Sequence, residues 1–185
     1  MTEVGGAGGR YRLADLRCFA GALLRAAGLD AEKAEATARL LVAADAMGHT
    51  THGLAQLADY LAEIEAGTMG KTGEPAVVAD HGAAVVWDGR RLPGPWLAEQ
   101  AVALAADRAA RHGVCAVAIR CSAHIGCLAA LLPAATDLGM LVMIACSDPS
   151  DAMVAPFGAR TAVFTPDPIA VGIPTGGDPI LIDMS

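Results

Sequence analysis

Hydrophobic residues near the start of the chain recur at the three- and four-residue spacing that is typical of amphipathic helices. The positions that define the first predicted helix are Leu13, Leu16, Phe19, Leu23 and Leu24. Gly28 supplies a stop for this helix, and Asp30 can cap a second helix from Ala31 to about Met47. A third helix is predicted from Gly53 to about Ala66, with a glycine directly after it. The segment therefore predicts a helical lobe in which His52 lies at the start of the third helix.

From Pro75 onward the pattern changes to short apolar runs bounded by turn-forming residues. The runs 76–79 and 83–87, joined by Asp80-His81-Gly82, predict a β-hairpin. Further strands are predicted at 114–119, 140–145, 169–173 and 180–184, and further helices at 96–112 and 127–138. The strand, helix and strand between 114 and 145 predict a unit of the parallel α/β kind. Frequent Pro and Gly in the last part of the chain indicate strands connected by ligand-facing loops.

Helices followed by strands that alternate with helices predict an α/β protein. Its expected parts are a flexible tail over 1–10, a helical lobe over 11–72 and an α/β domain over 73–185. A dinucleotide-binding glycine motif follows a strand and opens a helix, whereas the Gly-rich run 5–9 lies in the tail with no strand before it. The α/β domain is therefore not expected to be a Rossmann fold.

Composition and charge narrow the class of protein. With 185 residues and 54% hydrophobic content, the chain has enough apolar material for a core. No stretch approaches the ~20 apolar residues that span a bilayer, and the N-terminus lacks the features of a signal peptide, so we expect a cytoplasmic protein without membrane contact. A net charge of -7 with only 13 Lys and Arg leaves no basic stripe for a phosphate backbone, which argues against nucleic-acid binding. Five cysteines without a Cys-x-x-Cys pair indicate reduced thiols.

Motifs for several common chemistries are missing from the sequence. His49 and His52 lie three residues apart, but neither the His-Glu-x-x-His arrangement nor a nearby third ligand accompanies them, so no metal site is expected. The sequence also lacks a Gly-x-Ser-x-Gly nucleophile motif and a phosphate-binding loop. The common hydrolase and NTPase interpretations are therefore not supported.

Two histidines remain as candidates, and the chain's own pattern leaves two interpretations of each. His52 can be a proton donor, because imidazole titrates near neutral pH, or a helix-start histidine that bonds a backbone carbonyl. His124 follows a predicted strand and precedes a helix, where α/β folds bind ligands and free amides favour negative charge. It is either a ligand contact or a loop-packing residue.

Several short segments occur together in an order that is similar to one known family. They are Asp45-x-x-Gly48-x-x-Thr51-His52-Gly53, Trp87-Asp88-Gly89, Ser122-x-His124-x-Gly126, Ala155-Pro156-Phe157-Gly158, Asp167-Pro168 with Pro174, and Ile182-Asp183-Met184-Ser185. Each segment is weak alone, but their order and spacing cover nearly the whole chain. The chain resembles the malate/L-lactate dehydrogenase-like family of NAD(P)-dependent 2-oxo-acid reductases.

The resemblance implies a mixed-sheet, non-Rossmann cofactor domain that binds NAD or NADP, in a protein that is usually a homodimer. It implies that His52 is the catalytic acid or base at the substrate oxygen or nitrogen, and that Thr51, Gln56 and His124 contact the substrate. Cofactor contacts are implied at Ser122, His124, Ile180, Leu181, Ile182, Asp183, Met184 and Ser185.

The sequence departs from the family pattern at four positions in or beside these segments. Gln56 stands where the family commonly has an Arg, and a neutral amide holds a carboxylate less strongly than a guanidinium fork does. Thr51 replaces Ser but keeps a hydroxyl, Ala123 replaces Asn, and Asp167 replaces the Asn before Pro168. These changes put a carboxylate substrate in question.

Family chains are about twice as long as this one, a comparison set against ordinary domain sizes. A second polypeptide that supplies the C-terminal half, a fragment, or a different role would each account for the length. The leading hypothesis is NAD(P)H-dependent hydride transfer to or from a small 2-oxo acid or 2-hydroxy acid, a ketone or a cyclic imine, with His52 as proton donor or acceptor. The alternative is a truncated or repurposed non-redox member: a partner subunit, a regulatory protein or a cofactor-independent cavity enzyme.

Overall fold

A computed structural model of the chain describes residues 10–148 and 152–184. The expected flexible tail, apart from its last residue, and the predicted cofactor contact Ser185 lie outside the described residues. The helices are α1 (Leu13–Ala26), α2 (Ala31–Ala46), α3 (Leu57–Ala66), α4 (Gly94–His112) and α5 (Pro133–Thr136). The strands are β1 (Ala76–Asp80), β2 (Ala84–Asp88), β3 (Ala116–Arg120), β4 (Val142–Ala145), β5 (Ile169–Ile173) and β6 (Ile180–Met184).

The first two predicted helices are confirmed, and together with α3 they enclose one apolar core. Buried side chains of this core come from all three helices and the segments beside them: Ala20, Leu24, Leu29, Ala34, Ala38, Leu41, Leu57, Tyr60, Ile64 and Met69. Asp30 occupies the position before α2, but its side chain does not cap the helix. Its carboxylate instead pairs at 3.3 Å with Nζ of Lys33, which draws the oxygen away from the free backbone amides.

The third helix begins later than predicted. Two short 3-10 turns, Thr50–His52 and Leu54–Gln56, precede α3, and Gly53 between them has a non-helical backbone with φ of -93° and ψ of -143°. The carboxylate of Asp45 accepts a hydrogen bond from the Leu54 amide, so tertiary contact replaces the first turn of an α-helix here. His52 therefore ends a 3-10 turn, and its prediction as an α-helix start is wrong.

The first sheet has the strand order β1-β2-β3. Strands β1 and β2 are antiparallel, which confirms the predicted hairpin, and β2 and β3 are parallel. Helix α4 connects the two parallel strands, so the strand–helix–strand unit of parallel type is β2-α4-β3. Trp87 and Val85 of β2 pack against Ala101 of α4 and hold the helix on the sheet.

The second sheet has the order β4-β5-β6 and is antiparallel throughout. The predicted parallel unit between 114 and 145 is therefore wrong, because β3 and β4 lie in different sheets. The helix predicted at 127–138 is also shorter, with a 3-10 turn at Ala129–Leu131 and then α5. Proline lacks the amide that would continue a helix, and Pro133 accordingly starts α5.

The two faces of the second sheet have different surroundings. Ala170 is fully buried against Leu128 and Leu132, whereas Met143 and Met184 are 66% and 59% exposed. Because neighbouring residues of a strand point to opposite faces, one face packs on the 128–136 segment and the other is open. Helices with one mixed and one antiparallel sheet confirm the predicted α/β class. In the described ranges, the structure contains no helix that combines the length and apolarity needed to cross a bilayer.

Candidate active site

The turn that carries His52 is built by the end of α2. Gly48 has a positive φ of 90°, and the amide of His49 donates to the Ala44 carbonyl at 2.9 Å, which closes the helix end. The Asp45 carboxylate then reaches the Leu54 amide at 2.9 Å. A Cβ on Gly53 would overlap this carboxylate, so a larger residue there would displace the Asp45 side chain. The spacing of Asp45, Gly48 and Gly53 thus has a structural cause, which is to hold the His52 turn against α2.

Two side chains hold this turn, one by contacting the imidazole ring of His52 and the other by bonding the backbone. Oγ1 of Thr51 lies 3.0 Å from Nδ1 of His52, and the Gln56 amide nitrogen donates to the Thr51 carbonyl at 2.8 Å. Within the described part of the chain, Nε2 of His52 has no hydrogen-bond partner. Thr51 and Gln56 therefore support the turn, and the side chain of Gln56 is already engaged by the backbone.

His124 is brought against His52 by the loop after β3. The centroids of the two imidazole rings lie 5.9 Å apart, with an angle of 26° between their planes. The hydroxyl of Tyr60 lies 2.9 Å from Nδ1 of His124 and 3.2 Å from its carbonyl oxygen. Tyr60 is only 1% exposed, so α3 holds one edge of the His124 ring from within the core.

Burial keeps these polar groups in their neutral forms. Partial desolvation lowers the pKa of His124, and the neighbouring His52 lowers it further. Burial raises the pKa of Tyr60 above its usual range, and the negative charge of Glu63 adds to this effect. At neutral pH, a protonated phenol therefore faces an imidazole that favours its neutral form.

The loop that carries His124 packs on the start of α4. The amide of Ala123 donates to the Leu92 carbonyl at 3.1 Å. A Cβ on Gly94 would overlap the carbonyl groups of Ala123 and His124, so only glycine allows this close approach. The hydroxyl of Ser122 donates to the Ala123 carbonyl at 2.7 Å and is engaged within its own loop.

A small cleft of about 20 Å³ lies beside His52. Its lining residues are His49, His52, Gly126, Cys127, Leu128, Pro168 and Asp183. A larger open groove of about 430 Å³ lies between β1, β2 and α4, but it shares no lining residue with the cleft and contains no histidine or cysteine. Histidine, cysteine and carboxylate side chains therefore converge at the smaller cleft.

The predicted cofactor contacts on strand β6 lie on two opposite faces of the sheet. Asp183 pairs with Ala170 in the register and faces the packed side, where its carboxylate accepts the Ala129 amide at 2.8 Å. Ile182 and Met184 pair with Val171 and Ile169 and face the open side. By the same alternation Ile180 shares the open face and Leu181 the packed face. The structure thus brings Asp183 to the cleft with His52 but separates it from Ile180, Ile182 and Met184.

Sequence reasoning missed Tyr60 and Cys127, and it named Asp183 only as a cofactor contact. Tyr60 was not singled out, although a tyrosine on a buried helix face needs a partner for its hydroxyl, and that need is a usable signal. The sequence also showed no third ligand beside His49, whereas the fold places Cys127 and Asp183 next to it. No local pattern indicates that Cys127 and Asp183 meet His49, because the three residues lie on separate elements.

Residues 11–185 match the family described as malate/L-lactate dehydrogenase. The chain belongs to the malate/L-lactate dehydrogenase family. The resemblance inferred from the short segments is thereby confirmed, and the match covers both the helical segment and the two sheets.

Individual members of the malate/L-lactate dehydrogenase family are similar over nearly the whole chain. Hydroxycarboxylate dehydrogenase B of Escherichia coli O157:H7 is 32% identical over 177 residues, which are 95% of this chain and 49% of that protein. The (2R)-3-sulfolactate dehydrogenase (NADP(+)) of Chromohalobacter salexigens is 34% identical over 178 residues, covering 94% and 51% of the two chains. Malate dehydrogenase from Pyrococcus horikoshii OT3 superimposes with a TM-score of 0.90 at 28% identity, covering 100% of this chain and 52% of that one. The chain spans about half the length of these relatives.

Proposed function

We propose that the chain forms the acid–base half of a nicotinamide-dependent oxidoreductase that interconverts a small 2-hydroxy acid and its 2-oxo acid. The observation that supports this proposal most directly is the stacked pair of His52 and His124, with His124 bonded to the buried Tyr60. Among the described residues, Nε2 of His52 has no hydrogen-bond partner, and it stands beside a neutral histidine whose orientation is held by Tyr60. This is the arrangement that proton transfer to or from a substrate oxygen requires.

The residues present fit one wall of a site for NAD or NADP. The 122–126 loop places His124 against His52, and Asp183 of β6 lies in the cleft beside them. Ile182 and Met184 face the opposite, open side of the sheet, so a ring bound beside the histidines would not stack on them. The cleft of about 20 Å³ has room for no more than a water-sized group, so the ring would lie outside it. When bound, the nicotinamide would accept or supply the hydride.

His52 accepts the hydroxyl proton of the 2-hydroxy acid as the carbon–oxygen double bond forms, and returns a proton in the reverse direction. Thr51 holds Nδ1 of His52, so that Nε2 is the nitrogen left for the substrate. Neutral His124 contributes a hydrogen bond without placing a second positive charge beside a protonated His52. General acid–base catalysis of this kind contributes on the order of 10²- to 10⁴-fold.

The relatives' names support a hydroxy acid as the proposed substrate class, and Gln56 bears on how the carboxylate of that substrate would be held. Names such as hydroxycarboxylate, malate and sulfolactate dehydrogenase favour hydroxy acids over ketones and cyclic imines. Gln56 is turned back to the Thr51 carbonyl, so it is not placed to hold a carboxylate in the way an Arg fork would. We therefore propose that another group supplies the main contact to the substrate carboxylate.

We further propose that a polypeptide equivalent to the other half of the relatives covers the open face of the second sheet. Met143, Ile182 and Met184 on this face are 66%, 40% and 59% exposed, and contiguous exposed apolar patches mark interaction surfaces. That polypeptide would complete the cofactor site. The proposed assembly is a cytoplasmic homodimer of the completed unit, which native mass spectrometry and cell fractionation would test.

The proposal is tested by nicotinamide binding and by a matched pair of histidine variants. NADH and NADPH are titrated into the protein, with any polypeptide that purifies with it, and binding is followed by nicotinamide fluorescence. Oxidation of a panel of 2-hydroxy acids is then compared between wild type, His52→Ala and His81→Ala. We expect His52→Ala to lose about 10²- to 10⁴-fold in kcat with the fold intact by circular dichroism. His81→Ala, which alters an exposed histidine outside the site, should retain activity.

A non-redox role on the same scaffold is the second candidate function. The engagement of Gln56 by the Thr51 backbone favours it, because the family commonly has an Arg at this position, which could hold a carboxylate. Absence of saturable NADH and NADPH binding in the complete assembly would reject the reductase and support this alternative.

A further inference from the structure

Three potential metal ligands from separate parts of the chain converge in the cleft beside His52. A ring nitrogen of His49, Sγ of Cys127 and a carboxylate oxygen of Asp183 all lie within 4.8 Å of one another. Sγ of Cys127 and Oδ2 of Asp183 are 3.7 Å apart. His49 follows α2, Cys127 precedes the Ala129–Leu131 turn and Asp183 lies on β6, so the group exists only in the folded chain.

The separations suit a small tetrahedral cation. Zinc bonds of about 2.0 to 2.3 Å give ligand atoms that are roughly 3.3 to 3.8 Å apart. The sulfur–carboxylate distance already lies in this range, and the longest separation needs about 1 Å of side-chain movement to reach it. The cleft volume of about 20 Å³ accommodates one water-sized occupant, which is also the size of a single ion.

Neighbouring backbone groups restrain the residues that supply these ligands. The Ala129 amide donates to Asp183 at 2.8 Å and fixes the plane of its carboxylate. The backbone of His49 is held at both sides, by its own amide to Ala44 and by its carbonyl to the His52 amide at 3.0 Å. Cys127 is 7% exposed, so its sulfur is shielded from bulk solvent. Outer contacts of this kind orient ligands at metal sites.

We propose that His49, Cys127 and Asp183 bind one divalent transition-metal ion of the zinc class. The thiol of Cys127 loses its proton to solvent as the sulfur–metal bond forms, so that a thiolate, a carboxylate and a neutral imidazole balance the two positive charges. Three protein ligands leave a fourth position open, which is the pattern of reactive rather than purely structural zinc sites. His52 lines the same cleft, so a water or small oxygen ligand in that position would lie near His52.

This proposal does not rest on the proposed reductase activity, and its test uses no nicotinamide. Co²⁺ alone is titrated into the purified, reduced full chain, because a cobalt–thiolate bond produces a charge-transfer band in the near ultraviolet. We expect one Co²⁺ per chain, visible bands of tetrahedral intensity, and displacement of the cobalt by Zn²⁺. Cys127→Ser should abolish the charge-transfer band, while Cys121→Ser, which alters an exposed cysteine, should leave it unchanged.

The other two ligands are tested by zinc affinity. His49→Ala and Asp183→Asn should each weaken Zn²⁺ binding by at least about 10- to 100-fold, the loss that removal of even an outer partner typically causes. Asn is chosen because its side-chain oxygen can still accept the Ala129 amide. Circular dichroism of each variant without metal confirms that the fold is kept. Failure to bind Co²⁺, a band that survives Cys127→Ser, or Zn²⁺ affinity unchanged in His49→Ala would each overturn the proposal.

Discussion

The phenolic oxygen of Tyr60 lies 2.9 Å from Nδ1 of His124, across 64 residues of sequence. This hydrogen bond joins the buried face of α3 to the loop after β3 and sets the ring that stacks on His52. Tyr60 belongs to the apolar core of the helical segment, whereas His124 belongs to the candidate site. The apolar core of the helical segment therefore determines how the histidine pair is oriented.

Removal of the Tyr60 hydroxyl tests this connection. Tyr60→Phe should lower the free energy of unfolding by about 1 kcal/mol, the typical contribution of one hydrogen bond, as measured by urea denaturation. The environment of the His124 ring should also change, which is visible in its imidazole NMR signals. Tyr11→Phe is the matched control, since Tyr11 is 72% exposed. Equal losses in the two variants would contradict a specific role for the Tyr60 hydroxyl.

His124 should make the stability of the chain depend on pH. Its pKa in the folded chain lies below the usual 6.5, first through desolvation and then through His52. The unfolded chain therefore binds the proton more readily, so this contribution to stability is complete above pH 6.5 and is lost as the pH falls through the lowered pKa. His124→Gln should flatten this part of the pH profile in urea unfolding.

The coupling between the two histidines can be measured separately. Because His52 contributes to lowering the pKa of His124, His52→Ala should raise that pKa toward its usual value. An NMR titration of the His124 ring would show the change. A titration curve that does not move on removal of His52 would show that desolvation alone lowers the pKa.

Gly53 and Asp45 should behave as a coupled pair. Gly53→Ala places a methyl group against the Asp45 carboxylate and should lower the free energy of unfolding by about 1 to 3 kcal/mol. Gly176→Ala is the control, because a Cβ there meets nothing within 4 Å. The double variant Gly53→Ala/Asp45→Ala should lose less than the sum of its single variants, as thermal or urea unfolding would show. Strict additivity would rule out the proposed contact.

A polypeptide that covers the open face of the second sheet should protect the methionines of that face from oxidation. In the isolated chain, hydrogen peroxide should convert Met143, Met184 and Met47 to sulfoxides, since all three are substantially exposed. In the complete assembly, Met143 and Met184 should be protected, while Met47 on the helical side serves as the internal reference. Peptide mass spectrometry gives the three rates. Comparable oxidation of Met143 in both forms would mean that the open face is not the docking surface.

Local patterns predicted elements where one short segment carried all the information. The spacing of apolar residues and the glycine stop predicted α1, and Asp80-His81-Gly82 predicted the turn of the β1–β2 hairpin, because these features depend on neighbours in sequence. The predicted α-helix start at Gly53 was wrong, since a carboxylate from α2 takes the place of a local backbone bond. The strand–helix–strand unit was placed wrongly for a similar reason. Strand partners are chosen by distant segments.

By itself, the sequence determined the α/β class, the helices α1 and α2, the first hairpin and the family, which short ordered segments identify. Only the tertiary structure decided that Tyr60 bonds His124, that His124 stacks on His52, and that Asp183 faces the cleft while Met184 faces the open side of the sheet. The first group depends on periodicity and turn chemistry, which a short stretch of chain contains. The second depends on side chains that are distant in sequence and meet only when the helical core and the two sheets pack together.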